Sequence, residues 1–109
     1  MEIATAHFKK QGYSVKDVSK DKREFCDLVA TNNKSRLAIE VKGTQSDRPR
    51  FLMSRRERRF MEDPVNRDAW RLLIVTSVLQ NPTVLELSVE ETLKRFEFTT
   101  FTWFGEEKL

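Results

Sequence analysis

The run "AWRLLIVTSV", residues 69–78, limits the folds open to this chain more than any other segment. It is apolar and rich in β-branched residues, as expected of a strand covered on both faces. A sheet sandwiched between other layers is therefore required. A second run, "RLAIEVKG" at 36–43, is built differently. Read as a strand, it puts Leu37, Ile39 and Val41 on one face and Ala38, Glu40 and Lys42 on the other. A carboxylate and an amine thus stand side by side on an otherwise apolar strand.

The remaining pattern supplies partners for these two strands. "EIATAHFKKQ" at 2–11 reads as an amphipathic helix, with Ile3, Ala4, His7 and Phe8 near one face and Gly12 as its stop. "YSVKDVS", "EFCDLVAT" and "RLAIEVKG" follow as three strands on short connections, the last two separated by "NNKS", and an antiparallel meander is expected. Ser54-Arg55-Arg56-Glu57 has the pattern of a capping box, so a helix starts there and ends before Pro64. After the apolar strand, Asn81-Pro82 marks a turn, "TVLEL" a further strand, and Ser88-Val89-Glu90-Glu91 a second capping box. The tail "FEFTTFTWF" alternates as a strand with a shift of parity near Thr99 and Thr100. The expected architecture is α/β: an αβββαβ core over residues 2–87, a mixed central sheet flanked by helices, and a C-terminal helix and strand over 88–109. With 109 residues, the chain reads as a single domain, 1–109.

Composition narrows the chemistry. A single cysteine, Cys26, excludes an internal disulfide and a cysteine-rich zinc site, and suits a reducing compartment. A single histidine, His7, removes the usual histidine-based metal sites and Ser-His triads. Any chemistry falls to carboxylates and lysine. No run approaches the length of a transmembrane helix and the N-terminus lacks the features of a signal peptide. An intracellular protein is expected, cytoplasmic or nuclear, with no membrane partner.

If Asn33 and Lys34 form a two-residue hairpin loop, the paired residue numbers sum to a constant and Asp27 falls opposite Glu40. Their β-carbons would then be about 4.5–5.5 Å apart on the same face, with Lys42 diagonal to Asp27. Two like charges so close need a positive charge between them. Lys42 supplies part of it and a divalent cation would supply more. An oxygen-rich, histidine-free site points to Mg²⁺, with Mn²⁺ as a substitute. Lys42 could orient or deprotonate an attacking water, or neutralise charge on a phosphate, and the residues do not choose among these roles. A cross-strand salt-bridge cluster on a solvated sheet face is the plainer reading of the same three residues.

Asp27 followed by Glu40-Val41-Lys42 on the next strand resembles the PD-(D/E)XK nuclease signature, in the element order of the restriction-endonuclease-like fold. The nearer resemblance is to the domain found at the C-terminus of the plant protein NO VEIN and in many bacterial defence proteins. It is carried by "IEVKGT" at 39–44, "LMSRRE" at 52–57 and "WRLLIV" at 70–75, and it covers residues 2 to 87. The resemblance implies a Mg²⁺-dependent endonuclease with Asp27, Glu40 and Lys42 as catalytic residues. It implies a metal held by Asp27, Glu40 and the Val41 backbone carbonyl, with Glu2 in the place of a supporting first-helix glutamate. "EFCD" departs from the family pattern of a glycine and an aromatic before the aspartate, which makes Glu24 a candidate substitute, although strand alternation sets it on the other face from Asp27. DNA is expected over RNA through this resemblance alone. A homodimer or a larger host protein would supply the second active site that duplex cleavage needs. A catalytically inactive nucleic-acid-binding or assembly module on the same fold is the alternative.

The net charge is +3, but Arg48, Arg50, Arg55, Arg56, Arg58 and Arg59 are concentrated in one block. Such a block is either a solvated basic face or an anion-binding one. Arg55 and Arg56 fall in the first turn of their helix, where the dipole disfavours cations unless an anion binds there. Arg48, Arg50, Arg55, Arg56 and Arg59 are the expected nucleic-acid contacts, and Thr44 and Gln45 supporting residues or a polar strand end. The aromatic tail, with Phe96, Phe98, Phe101, Trp103 and Phe104, suits a core, a dimer interface or base stacking. The arginines lie elsewhere in sequence, which favours core or dimer.

Overall fold

The computed structural model describes residues 1–99. Helix α1, Glu2–Lys10, buries Ala4 and Phe8. It stops at Gly12, whose φ of 91° lies in the left-handed region. The Gly12 N–H donates to the Lys9 carbonyl at 3.0 Å and the Tyr13 N–H to the Phe8 carbonyl at 3.2 Å, closing the helix end as a Schellman motif.

Strands β1, Ser14–Asp17, β2, Leu28–Thr31, and β3, Arg36–Gly43, form the expected antiparallel meander. The hairpin register pairs Leu28 with Ile39 and Thr31 with Arg36. Asn33 and Lys34 are the loop, closed by the Asn32 N–H donating to the Ser35 carbonyl at 3.0 Å. The Asn32 side-chain oxygen accepts the N–H groups of Lys34 and Ser35 at 2.9 and 2.8 Å, an Asx turn that fixes the register. Strand β4, Trp70–Thr76, pairs parallel with β3, and β5, Thr83–Leu87, pairs antiparallel with β4. The five strands lie in sequence order in one mixed sheet.

A parallel neighbour cannot be reached by a hairpin. The crossover between β3 and β4 contains helix α2, Arg55–Glu62, and a short 3-10 turn, Pro64–Asn66. Helix α3, Val89–Arg95, follows β5. Both α2 and α3 open with full capping boxes, on Ser54 with Glu57 and on Ser88 with Glu91.

Alternation on the strands divides the core between two faces. Leu28, Ala30, Leu37, Ile39 and Leu73 meet Ala4 and Phe8 of α1. Trp70, Leu72 and Ile74 point to the other face, where Met61 of α2 and Val89 of α3 cover them. Cys26, Val29 and Ala38 extend that second layer, beneath Phe60. Strand β4 is thus covered on both faces, as its apolar run requires.

Two expectations change. "EFCDLVAT" is a strand only from Leu28 onward. Before it, the Glu24 N–H turns back to the Asp21 carbonyl at 3.1 Å, and the Asp27 carboxylate takes the β3 N–H of Val41 at 2.8 Å. A side chain replaces backbone pairing, so the ladder ends there. Residues 96–99 form no strand; the rest of the expected C-terminal strand, with Phe101, Trp103 and Phe104, lies outside the described residues. Among the described residues no helix is long and apolar enough to cross a membrane.

A Cβ added at Gly12 would meet nothing within 4 Å, so the cost of Gly12→Ala is the backbone's alone. It is expected to lower stability by about 1 kcal/mol, a fall in Tm of about 4–8 °C in a thermal melt. An unchanged Tm would contradict the positive φ.

Candidate functional site

Glu40 and Lys42 project from β3 onto the face covered by α2. The Glu40 residue is 4 % exposed. Lys42 lies between two carboxylates: its Nζ donates to Glu57 Oε1 and Oε2 at 3.0 and 3.2 Å and stands 3.6 Å from Glu40 Oε1. Glu57 is held from behind, because the same Oε1 accepts the backbone N–H of Ser54 at 2.8 Å. The capping box of α2 therefore fixes the carboxylate that fixes the lysine.

Asp27 lies just before β2, where the paired register stops at Leu28–Ile39, and it lines the same cavity as Glu40. Its Oδ2 accepts the Val41 N–H at 2.8 Å and its own N–H donates to the Ile39 carbonyl at 2.9 Å. A strand residue directs its N–H and C=O to the same edge. The Val41 carbonyl therefore opens toward Asp27, past the point where β2 begins. A cavity of about 230 Å³ is lined by Asp27, Glu40, Glu57, Ser54 and Arg56 among others.

Two carboxylates on one lysine, with Asp27 lining the same cavity, leave an excess of negative charge. Burial, then the neighbouring Glu57 carboxylate and the charge of Asp27, push Glu40 up to about 9. Glu57 moves the opposite way, down to about 2: burial opposes this, and hydrogen bonds from Glu40, the Ser54 backbone and Lys42 outweigh it. Glu40, the more buried partner, is thus the one driven toward its neutral form.

The donor set suits a hard cation. It offers carboxylates and a backbone carbonyl, with no nitrogen or thiolate ligand, and Mg²⁺ is commonly held by one or two carboxylates with water and phosphate oxygens completing its shell. The raised Glu40 carboxyl marks where positive charge is wanted. Among the described residues no three His, Cys, Asp or Glu side chains are already gathered as a metal-binding group. Asp27, Glu40 and the Val41 carbonyl are the groups that would hold such an ion.

The other expected residues are placed unevenly. Glu2 is the exposed first residue of α1, whose buried side chains pack on the opposite face of the sheet from Glu40. Among the described residues it forms no hydrogen bond or ion pair with the carboxylate cluster. Glu24 lines the cavity and faces Arg36 at 3.5 Å. Thr44 serves the turn after β3: its N–H donates to the Val75 carbonyl at 2.9 Å and its Oγ1 accepts the Ser46 N–H at 3.2 Å. Gln45 and Arg48 are exposed. Arg56 reaches the carboxylate cavity and lies over the Phe25 ring at 4.3 Å. Arg50, Arg55 and Arg59 line a separate groove on the far side of Ser54. Cys26 is buried, and burial raises its thiol to about 11, which leaves it protonated and unreactive.

Glu57 is the residue that sequence reasoning missed as part of the site. Its signal is the capping box, which by itself announces only a helix start. A capping glutamate at the beginning of the helix that returns from an E-x-K strand is positioned to meet the lysine.

The raised Glu40 carboxyl predicts a pH dependence. The unfolded carboxyls titrate near 4.5, so between about 4.5 and about 9 the folded pair holds a proton that the unfolded chain lacks, and stability falls as pH rises. Below about 4.5 the unfolded chain binds two protons and the folded pair one, down to about 2, so stability falls again as pH drops. Glu40→Gln, which keeps a donor toward Glu57, is expected to raise Tm by several degrees at pH 8 and by much less at pH 5. Equal melting of the two proteins at pH 8 would remove the raised Glu40 carboxyl from the account.

No curated protein matches the chain. Its first 87 residues match the family model described as Protein NO VEIN, C-terminal. That span of 1–87, out of 109 residues, runs from α1 through β5 and contains Asp27, Glu40, Lys42 and Glu57, so this chain belongs to the NO VEIN C-terminal family.

Proposed function

We propose that this domain is a metal-dependent nuclease of the PD-(D/E)XK type, hydrolysing phosphodiester bonds, with DNA as the first substrate to test. The observation that carries the reading is the buried Glu40 carboxyl, which shares a cavity with Asp27 and has Lys42 beside it at the end of β3. A surface salt-bridge cluster has no need to bury its carboxyl, and burying one costs stability unless function repays it.

Asp27, Glu40 and the Val41 carbonyl would hold Mg²⁺ or Mn²⁺. When bound, such an ion activates a water and stabilises the charge that develops on phosphorus. In the hydrolysis a water oxygen bonds to phosphorus as the bond to the leaving sugar oxygen breaks; one water proton ends on that oxygen as a hydroxyl and the other passes from the new phosphate to solvent. Lys42, flanked by Glu40 and Glu57, presents an ammonium that offsets phosphate charge. Glu57 acts through Lys42 and is a positioning residue. Arg56 at the cavity mouth and Arg55 in the same helical turn sit where a phosphate would reverse the dipole penalty on cations. Two such domains, as a homodimer or within a larger host protein, would cut both strands of a duplex.

Plasmid cleavage with Mg²⁺ or Mn²⁺ tests the reading. Glu40→Ala and Lys42→Ala are expected to lower the cleavage rate by about 100-fold or more while DNA binding persists. Binding without any cleavage by the unaltered protein, on DNA or RNA, would leave the fold as an inactive nucleic-acid-binding module. A second measurement concerns the arginines: Arg55→Gln with Arg56→Gln should weaken DNA binding and lower its salt dependence by about 0.9 for each phosphate no longer neutralised. An unchanged slope would take both arginines out of the interface.

A further inference from the structure

The arginines of α2 and the aromatics Phe96 and Phe98 are far apart in sequence and meet in space. A groove of about 770 Å³ runs along α2, lined by Arg50, Arg55 and Arg59 together with Phe51, Phe96 and Phe98. The rings form a cluster: Phe51 meets Phe96 edge to face at 5.0 Å and Phe98 at 5.9 Å. The Arg58 guanidinium lies 4.4 Å over the Phe98 ring while its Nε bonds Glu62 at 3.0 Å. All three rings are only half-buried. Ser54 lines both this groove and the carboxylate cavity, so the two adjoin across the N-cap of α2.

We propose that this groove binds single-stranded nucleic acid and leads it to the carboxylate site, a proposal that rests on the nucleic-acid reading above. Guanidinium groups suit phosphates, and partly exposed rings suit the flat faces of bases. A duplex offers the first kind of contact and hides the second in its stack, whereas an unpaired strand offers both. The Arg58–Phe98 pair is a planar platform of the sort on which an unpaired base lies. The strand enters beside Phe98, crosses Arg55 and Ser54, and arrives at Glu40.

Fluorescence anisotropy in EDTA measures this binding without cleavage. Three labelled probes of about 12 nucleotides suffice: a mixed-sequence single strand, an abasic strand with the same phosphates, and a duplex. The single strand is expected to bind about tenfold more tightly than the abasic strand. Phe98→Ala, beyond α3, should abolish that difference. Arg59→Gln should weaken both strands and lower the salt slope by about 0.7. Equal binding of the base-bearing and abasic strands, or a preference untouched by Phe98→Ala, overturns the proposal, as does duplex binding as tight as that of the single strand. Base-dependent binding by a protein that never cleaves would keep the groove and reject the nuclease. Cleavage of DNA with no base-dependent binding would do the reverse.

Discussion

The parallel pairing of β3 with β4 is the constraint from which the rest of this molecule follows. Antiparallel neighbours need only a turn, but these two strands run side by side in the same direction over Ala38–Gly43 and Trp70–Val75. The chain must therefore leave the end of β3, travel back along one face and re-enter beside its starting point. Helix α2 is that return path. It covers the face carrying Ala38, Glu40 and Lys42, buries Met61 against Trp70 and Leu72, and brings its first turn to the end of β3. The burial of Glu40, the clamp on Lys42 and the position of the basic helix all descend from one topological requirement.

The electrostatics at that end of the sheet are unbalanced by the course of the backbone. Asp27 is bound to a peptide N–H of β3 and cannot move away from Glu40 without breaking the hairpin's last link. Glu57 is bound to the peptide N–H of its own helix cap. Lys42 is the flexible member, and its ammonium answers two carboxyls at once. A further positive charge, whether a proton or a cation, is the remaining requirement of the cluster. Structural salt bridges ordinarily pair their charges one to one on the surface, where they cost little.

Much of this was legible in the sequence because it rests on local chemistry. The two asparagines of "NNKS" announce the hairpin, and the observed register follows from its two-residue loop. Both capping boxes and the stop at Gly12 were equally local. The shortening of β2 was not, because "EFCD" alternates like a strand and only the Asp27–Val41 bond ends the ladder. The placement of Glu57 beside Lys42 required the crossover to be known, and fifteen residues separate the pair. The meeting of Arg58 with Phe98 spans α2, β4, β5 and α3, and no sequence period connects them. Conversely, the expectation that Glu2 supports the site depended on resemblance, and the packing of α1 sets its buried face against the other side of the sheet.

Glu57 Oε1 accepts from both the Ser54 peptide and the Lys42 ammonium. One atom thus belongs to two accounts, the start of a helix and the posture of the Lys42 amine. Fraying of the first turn of α2 would release the amine, and a phosphate that drew the amine away would loosen the turn. Ligand occupancy at the end of β3 and local order at the head of α2 are consequently linked quantities, so amide exchange at the Ser54 and Glu57 N–H groups is a reporter of events at Lys42 that needs no substitution in the protein.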